Sequence, residues 1–577
     1  MTLPLQPDEP FVLLDFEGRR QLRRRPSRII EIRDPGQIAS AIEELRGQTA
    51  AGFIGYESGY ALEPRLRHLC HAPAPGDPPL LWFGIFPEGP EPAPELADEM
   101  GAWVGAPEPL IAQSSYATHL QTLEEHLLAG DIYQANFTFP ASIRFSGHPL
   151  ALYAQLQSRA RARWSAVVFT GEHWIISCSP ELFFTLEGGK VTTRPMKGTA
   201  PPDSDPEILR NDPKQRAENL MIVDLLRNDL SKIAVPGTVE ARRLLHVERY
   251  PTVLQMTSTV TADLSPALGP VDVIKAMFPC GSVTGVPKIS AMQIIHDEEM
   301  GPRGVYTGSI GAMDSNGDAA FNVAIRTLTV RAGSDRAVVG LGSGIVADSI
   351  APDEWQECLQ KGKFIPTGSH FDLIETMKVE RGEIKDLSLH LDRLGTSAAH
   401  FGFEFDRAGV EQLLRDAAGT AGTARLRMTL SVGGRVDIET GPLVDLPLAE
   451  VALAPLPVDA HDFRLRHKTT DRAFYDRARE EYGCAEVVFF DQDGFVTEGS
   501  FTNVFVERDG KLVTPPFGRG LLPGILRRKL LERGQAVEGD LTVDDLSGGF
   551  FIGNSVRGLI AAKLARQSVG ETKEVCD

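Results

Sequence analysis

Hydrophobic positions along the chain recur with two periods, and the elements follow from them. Phe11 to Phe16 and Ala51 to Tyr56 predict strands, with Ile38 to Leu45 a short helix between them. Two proline-rich stretches, His71 to Pro79 and Pro87 to Pro94, predict loops. From Tyr116 to Ala129 the apolar residues fit a helix that Gly130 closes. Pro201 to Pro213, rich in proline and aspartate, reads as a loop. Glu218 to Ala234 predicts a helix, because Leu220, Val223, Leu226, Leu230 and Ile233 fall at steps of three and four on one face. Pro352 suits the first position of a later helix, along which Glu354 and Glu357 lie a turn apart. Around Pro366 to His370 the pattern resets. A strand from Phe371 to Val379, the turn Arg381-Gly382 and a further strand begin a new αβ unit, so the domain boundary falls at about 365–370.

One stretch, Ser179 to Thr199, carries candidate chemistry. Leu182 to Leu186 and Val191 to Thr193 are apolar or β-branched, and Gly188-Gly189 supplies the positive φ of a tight turn, so the stretch predicts a β-hairpin. Glu181 near its start and Lys197 near its end could act as acid and nucleophile. On spacing alone, the plainer reading makes both solvated strand ends.

Composition narrows the class. A chain of 577 residues is too long for one core, and 42% hydrophobic with 24% charged residues is ordinary for a globular protein. A net charge of −19 argues against nucleic acid or an anionic membrane as partner. The basic run Arg19 to Arg28 is short and interrupted by Pro26, and reads as a solvated loop or edge. Six cysteines (70, 178, 280, 358, 484 and 576) lack metal-ligand spacing and suit a reducing compartment. The N-terminus has no basic region followed by an apolar one, and no run approaches a membrane span, so a cytoplasmic location is expected.

Ser179-Pro180-Glu181 and Arg194 to Thr199 (Arg-Pro-Met-Lys-Gly-Thr) resemble the chorismate-utilising enzymes, the family of anthranilate synthase and aminodeoxychorismate synthase. Asp131 to Phe137, Phe278 to Met292, Arg303 to Gly311, Ile325 to Leu328, Gly342 to Asp348 and Glu354 to Lys361 are similar to further segments of that family, in its order. The resemblance implies an α+β two-sheet fold, anthranilate synthase component I-like, over 1–365. Within it, about 1–110 would pack onto a catalytic part at about 111–365 and help complete its sheets. It also implies that Lys197, where anthranilate synthases carry alanine, attacks C2 of chorismate, and that Glu181 protonates the departing 4-hydroxyl. Ammonia would then enter at C4. Tyr306, Arg326, Gly342, Gly344 and Lys361 would hold one carboxylate of chorismate. Glu218 and Glu357, with Glu354 close by, would hold the other through Mg²⁺. The residue types suit these roles. Arg326, read as mid-strand on the face with Ala324 and Leu328, needs an anion there or an internal salt bridge. Gly342 and Gly344 let the backbone approach a ligand. Gln255 stands where the family often has histidine and cannot carry a proton. None of the six cysteines has the setting of a glutamine-hydrolysing nucleophile, so ammonia would come from a separate amidotransferase chain or from free ammonium.

The segment 370–577 resembles α/β fold-type IV pyridoxal-phosphate enzymes, D-amino-acid aminotransferase-like, through Leu389 to Leu394, Arg466 to Asp471, Thr497 to Phe505 and Gly520 to Arg527. By that resemblance Lys468 would carry pyridoxal phosphate covalently, Glu498 would pair with its pyridinium nitrogen, and Arg393 would hold its phosphate. Gly524 and Ile525 would offer helix-terminal N–H groups to the phosphate, with Ser555 nearby. The two resemblances together imply a bifunctional enzyme of 4-aminobenzoate synthesis for folate: chorismate to 4-amino-4-deoxychorismate, then elimination of pyruvate. The alternatives are an amino acid aminotransferase or a non-catalytic domain for the second half, and an anthranilate- or salicylate-type synthase for the first, which Lys197 disfavours. A homodimer through the pyridoxal-phosphate domain is one arrangement compatible with the resemblance.

The implied chemistry needs Glu181 and Lys197 around one substrate, and this makes the hairpin register a test. If Gly188 and Gly189 alone form the loop, Glu187 opposes Lys190, Glu181 opposes Met196, and Lys197 points away. A three-residue loop ending at Lys190, or a bulge between Arg194 and Lys197 beside Pro195, would turn both side chains into one cavity, and one of the two is expected.

Overall fold

The computed structural model describes residues 9–565 apart from 97, 250–253, 369 and 444–448. Cys576 and Pro251 to Val253 lie outside the described residues. The strand Phe11–Phe16 is buried over nearly its whole length. Its alternate side chains leave opposite faces, so Phe11 and Leu13 join one core while Val12 and Leu14 join another. It belongs to a sheet of 11 strands among the described residues, together with Gln134–Gly147 and Arg336–Ile345. A second sheet, of 10 strands, holds Ala50–Ile54, Leu182–Glu187, Lys190–Arg194, Leu254–Asp263 and Ala319–Val323. Val12, Leu14, Phe53, Trp82, Ala166 and Ile310 fill the space between the sheets. Helices Gln113–Ala129 and Ala351–Lys361 cover the outer face of the first sheet, and Pro213–Ser231 and Pro270–Met277 that of the second. The N-terminal segment supplies strands to both sheets, as expected.

Two elements differ from expectation for one reason: proline after an aspartate starts a helix as readily as it ends one. Asp205 accepts the N–H of Glu207, and the expected loop contains the short helix Pro206–Asn211. Asp212 accepts the N–H of Gln215, and the next helix runs Pro213–Ser231 rather than starting at Glu218. Its buried stripe is Asn219, Ile222, Val223, Leu226 and Leu230, while Leu220 is exposed. Arg326 is not mid-strand. It has φ +50 and lies between Ala319–Val323 of one sheet and Thr327–Arg331 of the other, where the chain crosses between them. A left-handed residue cannot continue a strand.

The hairpin also corrects its expected register. Glu187 does oppose Lys190, so the loop has two residues, and Gly188 and Gly189 take φ +54 and +80. The expected three-residue loop is absent. So is the bulge between Arg194 and Lys197, because Thr193 pairs Val260 and Met196 pairs Thr257 with no slip between them. The irregularities fall elsewhere: one between Leu182 and Thr185, another between Met196 and Thr199. Gly198, at φ +93, absorbs the second directly after Lys197.

In the second half, Leu373–Glu380, Ala424–Leu430 and Val436–Gly441 form most of a four-stranded sheet. The strand Ala424–Leu430 alternates strictly. Ala424, Leu426, Met428 and Leu430 pack beneath helices Leu387–Phe401 and Arg407–Gly419, and Arg425 and Arg427 leave the other face. That face looks into a cavity closed by parts of an eight-stranded sheet built from Ala449 to Leu564. No helix among the described residues is long and apolar enough to cross a membrane.

Two candidate active sites

In the first site the slipped stretch Met196–Ala200 delivers Lys197. Its Nζ donates to Asn136 Oδ1 at 3.2 Å. A Cβ on Gly344 would come within 3.1 Å of that Nζ and 2.6 Å of Gln134 Nε2, so only glycine lets the amine lie against this strand. A Cβ on Gly342 would instead strike the Phe137 carbonyl at 2.6 Å, so that glycine serves the close approach of the neighbouring strand. Glu181 is 3% exposed and close enough to Lys197 for the two charges to act on each other. Burial pushes the Glu181 carboxyl up to about 7, against opposing pulls from Ser282 and Lys197. Burial, with Lys361, lowers the Lys197 amine against the pull of Glu218, Glu181 and Glu357. Each group is thereby driven toward its neutral form. Glu181 Oε1 and both polar atoms of the Gln134 side chain are buried without a protein partner, which leaves them for a bound polar molecule.

The raised carboxyl has a consequence for stability. The folded state binds the Glu181 proton up to about pH 7, the unfolded chain only to about 4.5. This group's contribution is therefore intact below about 4.5 and lost as the pH rises through 7. Glu181→Gln should stabilise the protein above pH 7 by on the order of 3 kcal/mol and gain nothing in acid, as read by urea unfolding at the two pH values. An equal effect at both would be inconsistent with a raised carboxyl.

Glu218 on helix Pro213–Ser231 lies within electrostatic reach of Glu354 and Glu357 on helix Ala351–Lys361. Burial raises the Glu218 carboxyl against the pull of Lys197 and Lys214, and the other two glutamates add to the rise. For Glu357 burial also acts upward, but Lys361 at 2.8 Å holds it net below the usual range. Glu354 is buried and accepts from Ser349 Oγ at 2.7 Å. No group of three or more His, Cys, Asp or Glu among the described residues is arranged to hold a metal by itself. Lys361 Nζ also donates to the Gly342 carbonyl at 3.0 Å. Tyr306 lies over Gly340, where a Cβ would come within 2.0 Å of its ring, and sequence reasoning missed that glycine. The Arg326 carbonyl accepts the Cys178 N–H at 3.0 Å at the crossing between sheets. Gln255 donates to the Gly198 carbonyl at 3.0 Å, bracing the slipped stretch.

The second site is a cavity of about 360 Å³ in which every residue predicted from the second resemblance meets: Arg393, Lys468, Glu498, Gly524, Ile525 and Ser555. Lys468 Nζ donates to Thr376 Oγ1 at 3.3 Å. Burial lowers its amine to about 7, with Arg393 adding to the fall and Glu375 opposing it. Glu498 is 3% exposed and accepts from Tyr475 Oη and, at 2.9 Å, from Leu522 N–H. Burial raises its carboxyl to about 7 even so. Arg393 forms a two-pronged ion pair with Glu375, at 2.8 and 2.7 Å, and donates to the Pro523 carbonyl at 3.2 Å. That brings its guanidinium to the start of helix Ile525–Glu532. A Cβ on Gly524 would come within 1.9 Å of Asn503 Oδ1. Glu375, Thr376, Tyr475 and Arg472 were missed. The alternation of Leu373–Glu380 was the available signal, since it sends Ile374 and Thr376 to the cavity and Glu375 inward to Arg393 and His390. The cavity fits pyridoxal phosphate: it is lined by an amine that burial brings to about 7, by the buried Glu498 carboxyl, and by an arginine beside a helix start.

Fold and sites together define a two-part chain, a two-sheet body joined to a smaller fold that encloses a lysine. The chorismate binding enzyme family matches residues 12–367 and the class IV amino-transferase family residues 372–564. Aminodeoxychorismate synthase component 1 of Klebsiella aerogenes is 40% identical over 258 residues, 44% of this chain and 57% of that protein. Anthranilate synthase component 1 of Thermus thermophilus is 34% identical over 316 residues, 52% of this chain and 68% of that protein. A solved structure from Bacillus anthracis, described as a 2,3-dihydroxybenzoate-specific isochorismate synthase, shares the first fold at TM-score 0.52 and 17% identity, covering 63% of this chain and 96% of its own. The chain belongs to the chorismate binding enzyme family and carries a class IV amino-transferase domain after it. It spans just over half the length of the aminodeoxychorismate synthase relatives it matches.

Proposed function

We propose that residues 1–365 convert chorismate and ammonia to 4-amino-4-deoxychorismate, and that residues 370–577 eliminate pyruvate from that product to leave 4-aminobenzoate. The observation that carries the reading is the pair of Lys197 and Glu181, each driven toward neutrality beside unpartnered buried polar atoms. A neutral Lys197 Nζ can attack C2 of chorismate while protonated Glu181 gives its proton to the departing 4-hydroxyl, which leaves as water. Ammonia then bonds to C4 and the lysine amine departs. Ammonia would come from a separate amidotransferase chain or from free ammonium. Lys361 and Tyr306, with Arg326, would hold one substrate carboxylate. Glu218, on whose carboxyl the charges of Glu357 and Glu354 act, would with Glu357 take part in a divalent site for the other, most of its ligands being substrate oxygens and water. In the second cavity Glu498 would keep the pyridinium nitrogen protonated, and Arg393 with the Gly524-Ile525 helix start and Ser555 would hold phosphate. Pyridoxal phosphate, when bound, supplies an electron sink. Lys468 Nζ can take up and return a proton at the substrate carbon. The scattered cysteines support a cytoplasmic location.

The test is to incubate the protein with chorismate, ammonium, Mg²⁺ and pyridoxal phosphate and identify products by mass. 4-Aminobenzoate and pyruvate are expected. Anthranilate would overturn the reading of the first half, and aminodeoxychorismate that persists would overturn that of the second. Glu218→Gln and Glu357→Gln should each raise the Mg²⁺ concentration for half-maximal chorismate conversion by about tenfold, and leave pyruvate release from supplied aminodeoxychorismate alone. An unchanged Mg²⁺ response in both variants would count against these ligands.

A further inference from the structure

Three contacts run from the first half to the two elements that carry Lys468 and Arg393. Trp103 lies on the short strand Ala102–Val104, paired to Gln134–Gly147, yet it is buried in the core of the second half with Phe371, Phe401 and Phe463. Its ring lies 4.9 Å from that of Phe401 and 5.5 Å from that of His400. His400 stacks on His467 at 5.0 Å and 17°, and His467 is the residue before Lys468. Arg144, also on Gln134–Gly147, donates to the carbonyls of Ala399 and His400 at 2.7 and 3.0 Å. These end the helix Leu387–Phe401, which carries Arg393. The last carbonyls of a helix lack helical partners, and a cation suits their negative end. Arg464, at the start of the segment leading to Lys468, is buried on Asp462 and reaches Asp98 of the first half at 2.9 Å.

A lysine that must meet a buried cofactor needs its segment held to a fraction of an ångström. His467 rests on His400, on Phe401 and, at 3.0 Å, on Ser397 Oγ, while the ring of His400 and its carbonyl are contacted by Trp103 and Arg144 of the first half. We propose that the first half is a positioning frame for the second site: Trp103 and Arg144 fix the His400–His467 stack and thereby aim Lys468 and Arg393 into the cavity. This rests on the reading of that cavity as the pyridoxal-phosphate site. Neither Trp103 nor Arg144 lines the cavity, so both act through other residues.

The experiment uses the full chain, with pyridoxal phosphate titrated into wild type, Trp103→Ala, Trp103→Phe and Arg144→Met. Visible absorbance gives affinity, and induced circular dichroism of the bound cofactor reports its orientation. Trp103→Ala should bind about tenfold more weakly and lose most of the induced signal, while chorismate conversion at the first site stays at the wild-type rate. Trp103→Phe should restore both, because an aromatic ring again fills the place beside His400 and Phe401. Arg144→Met should shift both readouts in the same direction by a smaller factor, and it decides the matter if Trp103→Ala does not fold. Wild-type affinity and induced signal in Trp103→Ala and Arg144→Met would overturn the frame. A wild-type protein that takes up no cofactor would sink the reading of the cavity and the frame with it.

Discussion

Replacing Lys468 with alanine should abolish the visible absorbance of bound pyridoxal phosphate and cut pyruvate release by about a thousandfold or more, while aminodeoxychorismate accumulates from the first site. The size follows from the cavity, in which Lys468 supplies the one amine among seven basic lining residues, the other six being guanidinium groups that stay charged. Burial and Arg393 bring that amine to about 7, so a large part of it is neutral and nucleophilic at physiological pH. No neighbour can replace it. The first site lies on other elements, so its product should form and persist. Mass spectrometry with chorismate and ammonium separates the two steps. A variant that kept its chromophore and full pyruvate release would refute the role of Lys468.

At the first site, Lys197→Ala should lower aminodeoxychorismate formation by about a thousandfold, or turn the product toward anthranilate. The other amine near it, Lys361, is held by Glu357 at 2.8 Å and the Gly342 carbonyl at 3.0 Å, and Asn136, which Lys197 Nζ contacts, is an amide. The pH profile carries the same logic. Wild-type rate should fall as pH rises above about 7 and Glu181 loses the proton it must donate. Glu181→Gln should keep a low residual rate with that alkaline limb flattened. Aminodeoxychorismate made at the wild-type rate by Lys197→Ala would exclude lysine as the nucleophile.

Much of this was legible in the linear chain. The strand at Phe11, the helix that Gly130 ends and the Gly188-Gly189 turn follow from local patterns that packing did not overrule. The six residues predicted for the second cavity do meet there. Where local reading failed, two backbone facts decide. Proline in Pro206 and Pro213 starts helices because aspartates precede them. Arg326 leaves the strand because the chain must cross from one sheet to the other.

The hairpin marks the division most sharply. The sequence by itself determined a two-residue turn at Gly188-Gly189 and the presence of an acid and an amine at the two ends, because turn chemistry and residue identity are local. By strict alternation those two side chains would point apart. Only the tertiary structure decided otherwise, through slips at Leu182–Thr185 and Met196–Thr199 that depend on pairing with Ala319–Val323 and Leu254–Asp263, strands far along the chain. The same holds for charge state. Nothing local to Glu181 or Lys468 moves their pKa values to about 7; burial beneath distant segments does. Nor could any pattern place Trp103, more than 250 residues before the core it fills, beside Phe401 and Phe463. Periodicity tells which face of an element is apolar, and only packing tells what covers it.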